Sequence, residues 1–352
     1  MCLSGSRIRG VCYPRSGFCE VEKMNNSLSV ITGANGYIGY SLVKELTSRG
    51  EKVRLSMRKD RPELAVFGCE QCLGDINDYD YLLRAFEGAE TVYHVAGMID
   101  ITGTKDDLVW KVNYDGTVNV VNACKACGVK NLVFVSSVDC IKITDDMHPV
   151  REFAYFDKEA VSDAYGKSKA AASQFVIDSN CAELKTVVVQ PSCVIGPDDI
   201  YHNNSVCTMI NLYEKGIFIV SLDFGAYNFV DVRDVACGMI AAAEIGRGGE
   251  AYFLCGETLT VDEFIATLAK INGRRPPVIK MGKKTLLNLC PEIDLFFKMM
   301  KWPPVLTEFS INKICENCDF SYEKAAKELG YNPRSAEDSL RDTVAWLREN
   351  PA

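Results

Sequence analysis

At 352 residues the chain is long enough to bury a large core, as one big domain or two unequal ones. Hydrophobic residues make up 47% and charged residues 24%, the balance of a soluble globular protein and not of a disordered or membrane-embedded chain. The net charge is −8 with no basic block, which excludes the electrostatic footprint of a nucleic-acid binder; no apolar run reaches the roughly 18 residues of a spanning helix.

Residues 1–23 carry Gly, Ser, Arg and Cys without periodicity and without the apolar core of a secretory signal, so a disordered extension is expected there. The run 28–31 is expected to be a strand. Ile38, Leu42, Val43 and Leu46 follow at helical spacing, and Gly50 stops the helix. Between them lies S-V-I-T-G-A-N-G-Y-I-G (29–39), the strand, tight loop and helix of a dinucleotide-binding unit. Gly33 is expected where the chain reverses. Gly36 falls where a side chain would block the approach of backbone to a pyrophosphate, and Gly39 where the helix packs on the strand. The anion would rest on unpaired N–H groups at the helix N-terminus.

Further strands are expected over 52–56, 69–73, 91–96, 131–136 and 185–190, with helices over 79–86, 107–127 and 162–179 between them. Strands alternating with helices at this spacing predict an α/β fold, a doubly wound (Rossmann) parallel sheet with helices on both faces. Beyond Pro191 the rhythm loosens into a loop to 204. Helices over 209–215, 232–245 and 261–272 and strands over 251–254 and 277–280 follow. This predicts a dinucleotide-binding domain over 24–195, with returning segments near 226–256. A smaller, mostly helical substrate-binding lobe comes from 196–225 and 257–352.

The sixteen cysteines are scattered through these elements, with no export signal, and are read as reduced thiols in a cytoplasmic protein. Three pairs have C-x-x-C spacing, Cys69/Cys72, Cys124/Cys127 and Cys315/Cys318, but no histidines cluster near them and no metal is expected.

The chemistry falls on A-Y-G-K-S-K. Tyr165 and Lys169 are four apart at the start of a helix and leave it on one face. A tyrosine protonates a carbonyl oxygen if its pKa of about 10 is brought toward neutrality, and a nearby ammonium is expected to do this. Ser136 and Ser137, ending the fifth strand, are placed to hold the same oxygen.

In this order the motifs resemble those of the extended short-chain dehydrogenase/reductases, within the NAD-dependent epimerase/dehydratase superfamily. T-G-A-N-G-Y-I-G (32–39), G-D (74–75), H-V-A-G (94–97), N-Y-D-G-T-V-N (113–119), S-S (136–137), Y-x-x-x-K (165–169), Q-P-S-C-V-I-G-P (190–197) and F-V-D-V-R-D-V-A (229–236) carry the resemblance over about 28–350. It implies that Tyr165 is the general acid and base, Lys169 its partner and a ligand of the nicotinamide ribose, and Ser137 the binder of the substrate oxygen. Asn113 would support Lys169 through a water. Cofactor contacts are implied at Thr32, Gly33, Asn35, Gly36, Tyr37, Ile38, Gly39, Arg58, Asp75, Ile76, His94, Ala96, Gly97, Pro191, Ser192 and Val194, besides Tyr165 and Lys169. Gln190 and Gly97 depart from the family's usual arginine and alanine.

An NAD-selective unit places an acidic residue at the end of its second strand. Here Met57 stands there and Arg58-Lys59 follow, which suits the 2′-phosphate of NADP, with NAD as the alternative. The resemblance is nearest to dihydroflavonol-, cinnamoyl- and 3β-hydroxysteroid-type reductases of ketones and aldehydes. It implies a fairly apolar small-molecule substrate and leaves a homodimer possible. The apolar stretch 286–300 would line a pocket, cover a lobe at a membrane surface, or simply pack as core. Two other readings stay open: a nucleotide-sugar epimerase or dehydratase, for which S-V-D at 137–139 is an imperfect match and Arg233 a candidate phosphate ligand, and a non-catalytic NADP-binding sensor.

Overall fold

The computed structural model describes residues 27–351 except 101–103, 145–146, 203, 217–219 and 301–306; the expected extension over 1–23 lies outside the described residues. Chain order begins β1 (Leu28–Thr32), α1 (Tyr37–Ser48), β2 (Lys52–Met57), β3 (Glu70–Leu73), α2 (Tyr79–Phe86) and β4 (Ala89–His94). α3 (Asp106–Trp110), α4 (Gly116–Cys127), β5 (Asn131–Val135), α5 (Ala164–Asp178), β6 (Lys185–Pro191), β7 (Cys193–Ile195) and α6 (Ser205–Glu214) come next. β8 (Ser221–Leu222), β9 (Ala226–Asp231), α7 (Val232–Ile245), β10 (Glu250–Leu254), β11 (Glu257–Thr260), α8 (Val261–Ile271) and β12 (Lys280–Met281) lead to four closing helices. These are α9 (Lys283–Met299), α10 (Glu308–Lys313), α11 (Glu323–Leu329) and α12 (Ala336–Glu349).

Seven strands form one sheet in the order β10-β6-β5-β4-β1-β2-β3, every pairing parallel. Parallel strands are covered on both faces, so their sequences read as continuous apolar runs, and β1 is buried throughout. The period-two alternation then feeds two cores. Val30, Val92, Leu132 and Val188 face a layer built from α2, α4 and α5. Their neighbours Ile31, Tyr93, Val133 and Val187 face α1, α7 and α11. The strand order reverses between β1 and β4, and the loops that leave their carboxyl ends meet at that switch point.

The C-terminal lobe packs α6, α8 and α12 through Ile210, Phe264, Leu268, Leu340 and Val344 into a third core. That core rests on a three-stranded sheet, β11-β9-β7. A small fourth core joins Leu222, Leu286 and Ile311. Of the segments expected to return to the main domain, α7 and β10 join the large sheet, while β9 pairs with β7 and β11.

Three expectations are corrected. The helix over 107–127 runs without a break but contains a π-helical turn, Lys111–Asp115, between α3 and α4. The Asn113 side chain holds the backbone of Met98 in both directions (2.8 and 2.9 Å), which a regular turn would not present in the same way. The strand expected over 277–280 shrinks to Lys280–Met281. Within 286–300, Leu286 and Phe297 are buried, whereas Leu295, Phe296, Met299 and Met300 are 44–70% exposed, so the stretch is one-sided. Among the described residues no group of three or more potential ligands gathers for a metal ion. No helix there is long and apolar enough to cross a membrane.

Candidate active site

The glycine loop after β1 sits where sterics demand it. Gly33 has φ +70°, and a Cβ there would lie 2.7 Å from the backbone of Ala96, in the loop after β4. The two loops therefore touch through bare backbone. Gly36 opens α1 without a side-chain cap, leaving its first N–H groups to an anion. A Cβ on Gly39 would strike the Gly33 carbonyl and Ala34, so this glycine lets the helix close on its own loop and not on the strand as expected.

Beneath the loop runs a directed hydrogen-bond chain. Ala96 N–H donates to Thr32 Oγ1 (3.3 Å), and Thr32 bonds His94 Nδ1 (2.8 Å). His94 Nε2 bonds Thr117 Oγ1 (2.9 Å), which itself donates to the Asn113 carbonyl (2.6 Å). Because the Thr117 hydrogen is already committed, His94 must be the donor at Nε2 and the acceptor at Nδ1. Burial, with help from the Lys169 charge, pulls its pKa down to about 3 and keeps the ring neutral. Thr32 and His94 are fully buried and, like Gly39, stand behind the cavity wall. In the structure Thr32 and His94 support the loop that carries Ala96.

At the end of β2, Met57, Arg58 and Arg61 line the same cavity as Asp75 and Ile76. Arg61 lies over the Tyr201 ring (4.7 Å), and its buried Nε has no hydrogen-bond partner among the described residues. Asp75 is partly buried, which works against ionisation. Two hydrogen bonds from Asn77 and the charges of Arg58 and Lys111 nevertheless hold it below the ordinary carboxylate range.

The N-cap Asp163 accepts from Gly166 N (2.7 Å) and fixes the start of α5. A Cβ on Gly166 would come within 2.6 Å of the Asp139 carbonyl, so α5 abuts the turn after β5 and brings Tyr165 to Ser137. The two serines divide. Ser136 Oγ is buried against Ser173 (2.7 Å), while Ser137 Oγ meets Asp139 Oδ2 at 3.1 Å. Buried Gln190 supports this turn from below, donating to the Ser137 carbonyl (3.3 Å).

The expected electrostatics of the Tyr-Lys pair are corrected. Tyr165 is pushed above its ordinary value, first by burial and then by the Asp139 carboxylate. Lys169 is pulled down to about 8 by burial. Its Nζ donates to the Val135 carbonyl (2.7 Å) and lies 4.8 Å over the Phe134 ring, with no carboxylate ion-paired to it among the described residues. Asn113 reaches Met98 and Ser168 directly. A Cβ on Gly97 would press to 3.1 Å on Lys169 Nζ, which accounts for glycine at that departure.

One cavity of about 1030 Å³ joins these parts. Gly33, Asn35, Gly36, Tyr37, Ile38, Arg58, Asp75, Ile76, Ala96, Gly97, Ser137, Tyr165, Pro191, Ser192 and Val194 line it. Tyr37 also ties α1 to the Gly196 carbonyl (2.7 Å), and Ser192 bonds Asn228 (2.7 Å). Asn113 and Lys169 stand just behind the wall. Past Tyr165 the cavity enters the lobe between Met209, Leu222, Phe229, Val261, Phe264 and Ile311. Sequence reasoning missed Arg61, Asp139, Tyr227 and Lys313, which also line it. Arg61 left a signal, a second arginine three residues after Arg58.

The profile of the 3-beta hydroxysteroid dehydrogenase/isomerase family matches residues 30–279. The chain is 30% identical to 2-alkyl-3-oxoalkanoate reductase of Stenotrophomonas maltophilia, over 89% of its own length and 97% of the relative's. It is 28% identical to sterol demethylase protein B of Methylococcus capsulatus, over 91% and 98%. The crystal structure of gox2253 superposes with a TM-score of 0.78 at 30% identity, covering 93% of this chain and 99% of that one. MoeE5 in complex with UDP-glucose and NAD shares the fold (TM-score 0.72, 20% identity, 92% and 99% covered).

Proposed function

The chain belongs to the 3-beta hydroxysteroid dehydrogenase/isomerase family of NAD(P)-dependent oxidoreductases, and from that premise we propose that it is an NADP-preferring reductase. It interconverts a ketone and a secondary alcohol on a fairly apolar substrate, steroid-like or a 2-alkyl-3-oxo acid. One observation carries the reading. A single cavity runs from the bare glycine loop, past Tyr165 and Ser137, into an apolar chamber of the lobe.

The residues present fit a dinucleotide. Gly33 and Gly36 bring bare backbone to the cavity at the start of α1, and Arg58 and Arg61 line the same cavity as cations suited to an additional phosphate. Gly33, Gly36, Asp75 and Gly97 would hold the cofactor, with Arg58 and Arg61 on the 2′-phosphate and Lys169 supporting the site from behind Gly97. When bound, it exchanges a hydride with the carbonyl carbon. Tyr165, raised above its ordinary value, stays a neutral phenol at physiological pH and gives its proton to the carbonyl oxygen, while Ser137 donates to the same oxygen. The apolar chamber excludes water from that oxygen and orients the rest of the substrate.

The nucleotide-sugar reading is disfavoured by Arg233. Its guanidinium is bound by Asp231 (2.8 and 2.7 Å) and Asp342 (2.7 Å), and it is not part of the cavity wall. The sensor reading lacks its usual mark, a broken Tyr or Lys.

Fluorescence titration with NADPH and NADH, on the wild type and Arg58→Ala, tests the cofactor. Tight NADPH binding that collapses in the variant is expected; NADH preference, or NAD retained through purification, would overturn it. Turnover of a steroid 3-ketone and a 2-alkyl-3-oxo acid tests the substrate class, and no turnover of either would sink it.

A further inference from the structure

We propose that Lys313 is a positioning residue of the reaction, acting from the C-terminal lobe through Asp139 on the Ser137–Tyr165 pair. This rests on the reading of Tyr165 and Ser137 as the acid and the oxygen-binding hydroxyl.

Asp139 bridges two parts of the molecule with its two oxygens. Oδ2 meets Ser137 Oγ at 3.1 Å, and Oδ1 meets Lys313 Nζ at 3.0 Å. The backbone N–H of Asp139 also donates to Ser137 Oγ (3.2 Å), so the serine is held on two sides. Lys313 ends α10, its side chain only 16% exposed, and Glu316 takes the same ammonium at 2.8 Å. Asp139, Ser137, Tyr165 and Lys313 all line the one cavity.

The consequence follows from counting hydrogens. A serine hydroxyl has one. If Asp139 holds it, the hydroxyl cannot donate to a substrate oxygen. An ammonium on the far carboxylate oxygen withdraws charge from Asp139 and loosens its hold on that hydrogen. Without Lys313 the carboxylate would stand uncompensated beside Ser137 and Tyr165, keeping the serine hydrogen and opposing ionisation of the phenol. Lys313 thus sets, from the lobe, whether the two hydroxyls serve the substrate. Other groups around the phenol are Cys140 from the turn after β5, Asp163 and Lys169 on or capping its own helix, and Tyr227 on β9. Asp139, Cys140 and Asp163 oppose phenolate formation, as does burial; the Ser137 hydrogen bond favours it.

The test installs a difluorotyrosine at position 165, whose phenol is intrinsically more acidic, and follows its ionisation by fluorine NMR in the full chain. Lys313→Met is expected to raise the apparent pKa by about one unit, a tenfold loss of phenolate at fixed pH. Asp139→Asn is expected to lower it, the double variant to follow Asp139→Asn, and Lys313→Arg to stay near wild type. Glu316→Gln, which leaves the ammonium to Asp139 alone, should lower it slightly and serves if Lys313→Met does not fold. Shifts of the same sign for Lys313→Met and Asp139→Asn would overturn the proposal. So would an unmoved pKa in a folded Lys313→Met chain, or an unmoved or raised one in Glu316→Gln. The titration needs no substrate, so it is read independently of the acid–base assignment, which Tyr165→Phe turnover tests.

Discussion

The large sheet and the C-terminal lobe face the same cavity but are built on opposite terms. The sheet half carries its proposed working residues at the carboxyl ends of buried parallel strands and on the helices beside them, close together in sequence. Gly33 follows β1 directly, and Tyr165 and Lys169 are one helical turn apart. The lobe contributes single residues from separate elements far apart in the chain, such as Tyr227 on β9 and Lys313 at the end of α10. On the proposed function the chemistry sits on the half whose residues neighbour one another in sequence, and recognition on the half that gathers its cavity lining from separate elements.

The sharpest way to break this division is Tyr165→Phe. It should reduce turnover by about a thousandfold while the cofactor dissociation constant, measured by fluorescence, changes little. Retained turnover would move the chemistry elsewhere. Next in size, Arg58→Ala with Arg61→Ala should weaken NADPH about a hundredfold, two charge-assisted contacts at roughly 1.5 kcal/mol each, and leave NADH nearly unaffected by titration.

Lys169→Met probes the price of the sheet half. The folded pKa of about 8 lies below the unfolded value of about 10.4. The charged lysine therefore destabilises the fold in full below pH 8, by ~3 kcal/mol, and the penalty fades as pH rises toward 10. Allowing about 1 kcal/mol for the lost bond to Val135, the variant should be about 2 kcal/mol more stable than wild type at pH 7 by denaturant melts. That advantage should vanish by pH 10. On the lobe side, Met209→Ala should raise KM for an apolar substrate roughly tenfold, about 1.4 kcal/mol of lost contact, with kcat held within twofold. A fall in kcat instead would mean that the lobe shares the chemistry. The smallest effect is expected from Asp163→Ala, which removes the cap of α5 and should cost about 1 kcal/mol in stability.

The same contrast explains what could be read in advance. The glycine loop and the Tyr-Lys pair were legible because each residue type is dictated by its nearest neighbours: a reversal, a bare backbone contact, a shared helical face. Nothing local marks Asp139 and Lys313 as partners, since their meeting is a product of how the lobe returns over the sheet. The strands β7 and β9 escaped because both sit among turn-forming residues, β7 between Pro191 and Gly196-Pro197 and β9 between Gly225 and Asp231, so they read as part of a loop. The electrostatics misled for a different reason. Spacing shows that Tyr165 and Lys169 share a face, but not that burial and Asp139 dominate the phenol.

The π-helical turn at Lys111–Asp115 has an engineering consequence. A single residue advances an α-helix by about 100°, so the extra residue held in that turn acts as a phase shifter between α3 and α4. Trp110 lies against Tyr114, whose ring meets Phe175 of α5; downstream, Val120 and Val121 face the sheet. Deleting one residue from the turn would leave both helices intact, yet put them out of step and swing Asn113 off Met98. Length at this point is therefore under tighter constraint than composition, and a library that varies residue identity around the turn will tolerate far more than one that varies residue number.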